Sequence, residues 1–168
     1  STAKLPDSIE LDEPSDLQGP NNGHYIIITH EDFYSSALAL ASHRACVGVT
    51  SGKPVATVKI EDIYDEFNHG ISNPQAIKEF LSYAYHNWKK NGPEYVVLAG
   101  DGTYDYKDNL GYGGNLVPPI LLATPHGLFA SDNNFADVIG NDGVPEIAIG
   151  RLPVVTEEEL QMLIDKIA

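Results

Sequence analysis

One cysteine, Cys46, is all the thiol that this 168-residue chain contains. It can close no intrachain disulfide, and it has no CxxC partner for redox cycling or zinc binding. Basic residues are scarce as well: 10 Lys and Arg stand against 24 Asp and Glu, a formal charge of −14. Such a field repels phosphate backbones and anionic headgroups, so nucleic acid and acidic membrane surfaces are poor partner candidates. No apolar run approaches the roughly 18 residues that a membrane span needs. Residues 1–22 also lack the basic and apolar regions of a signal peptide.

What is present is enough apolar sequence, 42% of residues, to bury one sizeable core, and one domain is expected. The surplus of carboxylates is compatible with hard cations without requiring them. Residues 1–22 are rich in Asp, Glu, Pro, Gly and Asn, with Ile9 and Leu11 as the hydrophobic anchors, and read as an acidic linker or lead-in segment. Residues 23–168 form the folded unit.

Along that unit the apolar period switches between strand and helix. Tyr25 to Ile28 is a short strand, and Thr29 and Asp32 have capping-box spacing before a helix whose face is Phe33, Ala37, Leu40, Ala41 and Ala45. Gly48 stops it. A second strand, Val55 to Ile60, leads into a turn over Glu61 to Asn68. Asn73 and Pro74 then open a helix with Ala76, Ile77, Phe80, Leu81, Ala84 and Trp88 on one face. Burying such side chains stabilises by roughly 1.5 to 3 kcal/mol each, so Phe80 and Trp88 read as core and not as a ligand platform.

Tyr95 to Ala99 is apolar without alternation, as expected of a strand covered on both faces in a parallel sheet. The order strand, helix, strand, helix, strand predicts an α/β fold: a parallel-sheet, three-layer subdomain, caspase-like or Rossmann-like, with helices on both faces. Functional groups of such sheets gather at the carboxyl ends of the strands, where Glu61, Asp62 and Asp101 fall. A long Gly- and Tyr-rich stretch from Asp101 to Asn115 follows, then the apolar VPPILLAT and the polar SDNNFADVIGNDG. Glu146 to Gly150 gives a last strand. Thr156 with Glu159 caps a final helix faced by Leu160, Leu163, Ile164 and Ile167, which has no stop signal and is expected to leave apolar surface for a missing neighbour.

Several motifs invite chemistry. His43 lies three residues before Cys46, but residues at that spacing share a helix face by default, and Cys46 reads as inert. His69-Gly70 and His126-Gly127 do not follow apolar strands and read as loop residues. Gly100-Asp101-Gly102 lacks the third glycine and the helix of a dinucleotide loop. The NDGVPE segment, 141–146, is more specific. Asp142 and Glu146 bracket a Gly and Pro turn, which suits either a hard cation or a solvated acidic turn.

The run YVVLAGD at 95–101, followed by ASDNNFADVIGNDGVPEIAIGRLPVVTEEELQMLIDKIA, resembles the gingipain-like cysteine peptidases. YIIITHEDFYSSALALASHR and VKIEDIYDEF fit the same pattern. The resemblance runs from about Tyr25 to Ala168 and leaves the first 22 residues uncovered. It implies a caspase-like fold of two subdomains, with the catalytic His and Cys in the second, following Ala168, so no catalytic residue is expected here. It also implies a structural calcium ion held by Asp101, Asp142 and Glu146 with the main-chain carbonyls of Ile139 and Val144. Arg151 falls in the IGR run, in an ion-pair or capping role. The loop from Tyr104 to Phe129 is longer than expected for gingipains, so substrate preference does not transfer. Extracellular or cell-envelope placement is an implication of the family alone.

Two functions compete. One is the non-catalytic N-terminal subdomain of a secreted cysteine endopeptidase, whose partner is the downstream catalytic subdomain and whose protein or peptide substrates bind only the full-length enzyme. The alternative is a stand-alone calcium-stabilised extracellular binding or adhesion module. A strand-His-Gly and a strand-Cys in a second α/β half of the parent reading frame decide for the first.

Overall fold

The computed structural model describes residues 13–89, 92–111 and 113–168. Strands β1 (Tyr25–Thr29), β2 (Val55–Lys59), β3 (Tyr95–Ala99) and β6 (Ala148–Leu152) form a parallel sheet in the order β2-β1-β3-β6. The chain moves one way from β1 to β2 and the other way to reach β3. With right-handed crossovers, that reversal puts the connecting helices on opposite faces. Helices α1 (Tyr34–Cys46) and α5 (Glu157–Ile167) pack on Tyr25, Ile27 and Ala99. Helices α2 (Ile60–Asn68), α3 (Pro74–Asn87) and α4 (Asn133–Ala136) pack on Ile26, Ile28, Val96 and Leu98. The three-layer α/β fold is therefore the observed one, and β1, central and covered on both faces, is buried at every position.

Local chemistry sets the element ends, with some departures from expectation. Thr29 does not cap α1: it closes β1, its hydroxyl donating to Ala99 O at 3.4 Å. His30 Nδ1 accepts from Asp32 N–H instead, and a single 3₁₀ turn at 31–33 precedes α1. The segment after β2 is not a turn but helix α2, because Ile60, Ile63, Tyr64 and Phe67 fall on one face and join the core. Asn73 caps α3 as expected, accepting from Gln75 N–H at 2.9 Å. Trp88 and Phe80 are core residues, their rings 5.5 Å apart in an edge-to-face pair.

Of the lead-in, residues 13–22 are described, while Ile9 and Leu11 lie outside the described residues. Leu17 is the anchor here, buried against α3, with Trp88 Nε1–H donating to its carbonyl. The Glu66 carboxylate accepts from Ser15 Oγ–H and from the N–H groups of Leu17 and Gln18.

A hairpin of two strands and a short helix were not foreseen. Strands β4 (Leu121–Thr124) and β5 (Gly127–Ala130) make an antiparallel hairpin apart from the main sheet, and its side chains are exposed at every position after Leu121. Helix α4 is a single turn behind it.

Strand β6 starts two residues later than expected, because Glu146 is drawn into the preceding turn: its N–H bonds to Ala136 O and its carboxylate to Val138 and Ile139 N–H. Thr156 and Glu159 do cap α5, the Glu159 carboxylate reaching Val155 N–H at 2.9 Å. The apolar stripe on α5 is covered in part, and Met162 beside it is exposed. Leu160 and Ile164 are buried and Leu163 and Ile167 half-buried, because α1 supplies the neighbour, tied by Ser36 Oγ–H donating to Glu157 at 2.9 Å.

At the amino end of the sheet, His24 is buried between two side chains: Lys53 Nζ lies 3.0 Å from Nε2, and Glu94 Oε1 lies 3.4 Å from Nδ1.

Candidate functional site

In a parallel sheet every strand points the same way, so each loop belongs to one end or the other. At the carboxyl end stand the loops after β1, β2 and β3. His30 follows β1 and places Nε2 3.3 Å from Glu61 Oε1 in the first turn of α2. Burial pushes the Glu61 carboxyl above its usual range, opposed by backbone hydrogen bonds and by His30. Its Oε2 is buried without a hydrogen-bond partner.

Asp101 follows β3 and is half-buried. Its N–H donates to Val154 O at 2.8 Å, and its side chain lines a cavity of about 280 Å³ with Thr103, Gly113, Gly114, Leu116 and Val155. The glycines flanking it serve packing and not phosphate. A Cβ on Gly100 would come within 2.9 Å of Val117 Cγ2, and one on Gly102 within 2.7 Å of Pro119 Cδ. The 116–119 segment lies directly on that backbone.

Arg151, whose role the sequence left between ion pair and cap, does both. Its Nε and Nη2 donate to the two oxygens of Asp132 at 2.8 and 2.7 Å, and its Nη1 donates to the carbonyls of Gly100 and Val117 at 2.8 and 2.7 Å. One guanidinium thus fastens the end of β3 to the long excursion between β3 and β6.

The other sequence-predicted ligands are elsewhere. Ile139, Asp142, Val144 and Glu146 belong to the turn entering β6, at the amino end of the sheet, where Ala148 N–H bonds to Glu94 O before β3 begins. Asp101 is level with Val154, eight residues beyond Glu146. At about 3.3 Å per residue that separates them by on the order of 20 Å. The five-residue calcium set is therefore not one site: the structure brings four of its members into one turn and leaves Asp101 at the far end of the sheet. Among the described residues no three His, Cys, Asp or Glu side chains are gathered closely enough to hold a metal as they stand.

Within the turn, Asp142 Oδ1 accepts from Val144 N–H at 2.9 Å. Glu146 Oε2 accepts from Val138 and Ile139 N–H at 2.9 and 3.0 Å. The sequence reading missed Asp137, which is buried and whose Oδ2 accepts from Gly143 N–H at 2.9 Å. No signal in the sequence marks it, because its burial beside Phe135 and Ala136 is a fact of the fold.

The thiol is placed plainly. Helix α1 leaves the carboxyl end of β1 and returns toward the start of β2, so Cys46, its last residue, lies at the amino end of the sheet, exposed. His69 occupies the left-handed position that ends α2, and His126 the tip of the β4–β5 hairpin. Both are loop residues.

The sequence profile of peptidase family C25 matches residues 18–168. The chain belongs to that family. Among solved structures, the chain is similar to dimeric latent PorU from Porphyromonas gingivalis, at 21% identity and a TM-score of 0.71, over 89% of this chain and 16% of that one. It is also similar to a complex of the pro- and mature domains of Porphyromonas gingivalis RgpB, at 23% identity and a TM-score of 0.59, over 86% of this chain and 28% of that one. A third, described only as a protease, aligns at 19% identity with a TM-score of 0.55. No curated protein sequence matches. The C25 chain described here thus spans 16% of the PorU chain and 28% of the RgpB chain. None of its described helices is long and apolar enough to cross a membrane.

Proposed function

We propose that this chain is the non-catalytic N-terminal subdomain of a secreted, gingipain-like cysteine endopeptidase. The observation that carries the reading is the position of Cys46. A family of thiol peptidases needs a nucleophile, and the chain's single cysteine sits exposed at the amino end of the sheet, away from the edge where α/β enzymes assemble their sites. The catalytic His and Cys then belong to a second subdomain that follows Ala168, and peptide or protein substrates bind only when both halves are present. Placement outside the cell or in the envelope comes with that reading.

The test is hydrolysis. The isolated chain is expected to leave peptides ending in Arg or Lys, and other amide substrates, uncleaved. Thiol-dependent turnover that disappears in Cys46→Ala overturns the assignment.

A structural calcium ion at the 139–146 turn is part of the same reading. Asp142 and Glu146 would hold it with the carbonyls of Ile139 and Val144, and it would supply charge neutralisation and a fixed loop, not chemistry. The fit is supported by the buried, unpartnered oxygen of Asp137 beside this turn. Binding to the folded state alone raises its stability by mass action, so calcium should raise the melting temperature and a chelator lower it. Magnesium should do so less, because it demands a tighter octahedral shell. Identical melts in calcium and chelator, with no metal retained on purification, would remove the site.

A further inference from the structure

The turn entering β6 contains a carboxylate that its surroundings do not satisfy. Asp137 is 2% exposed. Its Oδ2 accepts from Gly143 N–H, which ties the carboxylate to the turn. Its Oδ1 is buried and has no hydrogen-bond partner. Buried carboxylate oxygens are ordinarily hydrogen-bonded, paired with a cation or bound to metal, because water is no longer there to solvate them. Lys78 is near this turn, but its ammonium is directed to the side-chain amides of Asn141 and Asn134, at 2.9 and 3.4 Å.

We infer that Asp137 Oδ1 is the buried ligand of a divalent cation at this turn, an inference that rests on the calcium reading given above and adds to it the residue that anchors the ion. Calcium takes six to eight oxygens, and a surface turn with two carboxylates and two carbonyls falls short of that number unless waters fill the rest. Asp142 and Glu146 each spend one oxygen on backbone N–H groups of the turn, Oδ1 and Oε2 respectively, which leaves Oδ2 and Oε1 for an ion. Those two residues are exposed and half-buried, respectively, each with one carboxylate oxygen outside these hydrogen bonds. Asp137 is buried, so it fixes where the ion sits and the other two close on it. Among the described residues these carboxylates do not form a closed cluster, so holding an ion requires Asp142 and Glu146 to move toward Asp137.

This assigns Asp137 a behaviour that a solvated acidic residue does not have. Without metal, its unpartnered charge opposes folding; with metal, the same charge favours it. Asp137→Asn keeps an acceptor for Gly143 and removes the charge, so in chelator the variant should melt above the wild type. In calcium the order should reverse, with the calcium-induced shift of the variant reduced to less than half and its calorimetric Kd for calcium weakened at least tenfold. Asp165→Asn, an exposed change on α5, should keep the full shift and so control for loss of one charge. If Asp137→Asn does not fold, Asp137→Ser repeats the test with a hydroxyl as acceptor. A variant that binds calcium as tightly as the wild type, with an equal shift, overturns the role of Asp137 and leaves the calcium reading standing. A wild type that neither shifts nor binds calcium overturns both.

Discussion

The central sheet and the β4–β5 hairpin are made of similar residues in opposite surroundings. β1 reads YIIIT and is buried at each position; β5 reads GLFA and is exposed at each. Composition does not separate them, since both are short and apolar. What separates them is the connection. β1 lies between β2 and β3, and the crossovers from β1 to β2 and from β2 to β3 lay helices on both of its faces, whereas a hairpin closes on itself through Pro125 and His126 and brings no covering layer. The hairpin nevertheless hangs from the body at defined points: Tyr106 O–H donates to Pro119 O at 2.5 Å, and Arg151 holds Val117 and Asp132 on either side of it.

That contrast can be broken from the body outward. Phe80→Ala empties a site at the centre of the larger cluster and should lower unfolding stability by about 3 to 5 kcal/mol in denaturant titration. Arg151→Ala leaves Asp132 and two carbonyls without their donor, and should cost about 3 kcal/mol while increasing hydrogen exchange across 115–132 more than in β1. If exchange rises equally everywhere, Arg151 is not the fastener of the excursion. Glu66→Ala removes the acceptor of three donors in the lead-in and should cost about 2 kcal/mol, read as earlier proteolytic release of residues 13–18.

Glu61→Gln tests the carboxyl end of the sheet, with the opposite sign. Because burial raises the Glu61 pKa in the folded state, the folded protein binds that proton more tightly than the unfolded chain does. Stability from this group is present below the unfolded value, near 4.5, and declines as pH rises through the raised folded value. The variant should therefore be more stable than wild type at pH 7, by less than about 1 kcal/mol after solvent screening, and equal to it near pH 4. A constant offset at both pH values would refute the burial account. Leu128→Ser, on the hairpin, should change stability by less than about 0.5 kcal/mol, since its side chain is already exposed.

Much of the body was legible in the sequence because its signals are local. Asn73-Pro74, Thr156 with Glu159, and the unbroken apolar run of β3 announce themselves within a few residues. Helix α2 was read as a turn because acidic residues at 61, 62, 65 and 66 mask a face made by Ile60, Ile63, Tyr64 and Phe67. The hairpin offered no alternation to read, since neither of its faces is covered. The distance of Asp101 from the other four expected ligands was hidden for a different reason. Spacing along the chain shows which carboxylates exist, but the end of the sheet on which each lies depends on the parallel register of β3 and β6, a non-local fact. Asp137 escaped notice because a carboxylate becomes informative only once it is known to be buried without a partner.

The chain of contacts at the start of β1 carries one more consequence, concerning where a single hydrogen resides. An ammonium can only donate, so Lys53 at 3.0 Å obliges His24 Nε2 to present its lone pair. The ring hydrogen must then be on Nδ1, facing Glu94 at 3.4 Å. Most histidines in water favour the other tautomer, so the ring nitrogens of His24 should show an inverted pattern of 15N shifts. Replacing Lys53 with methionine would let them return to the ordinary one.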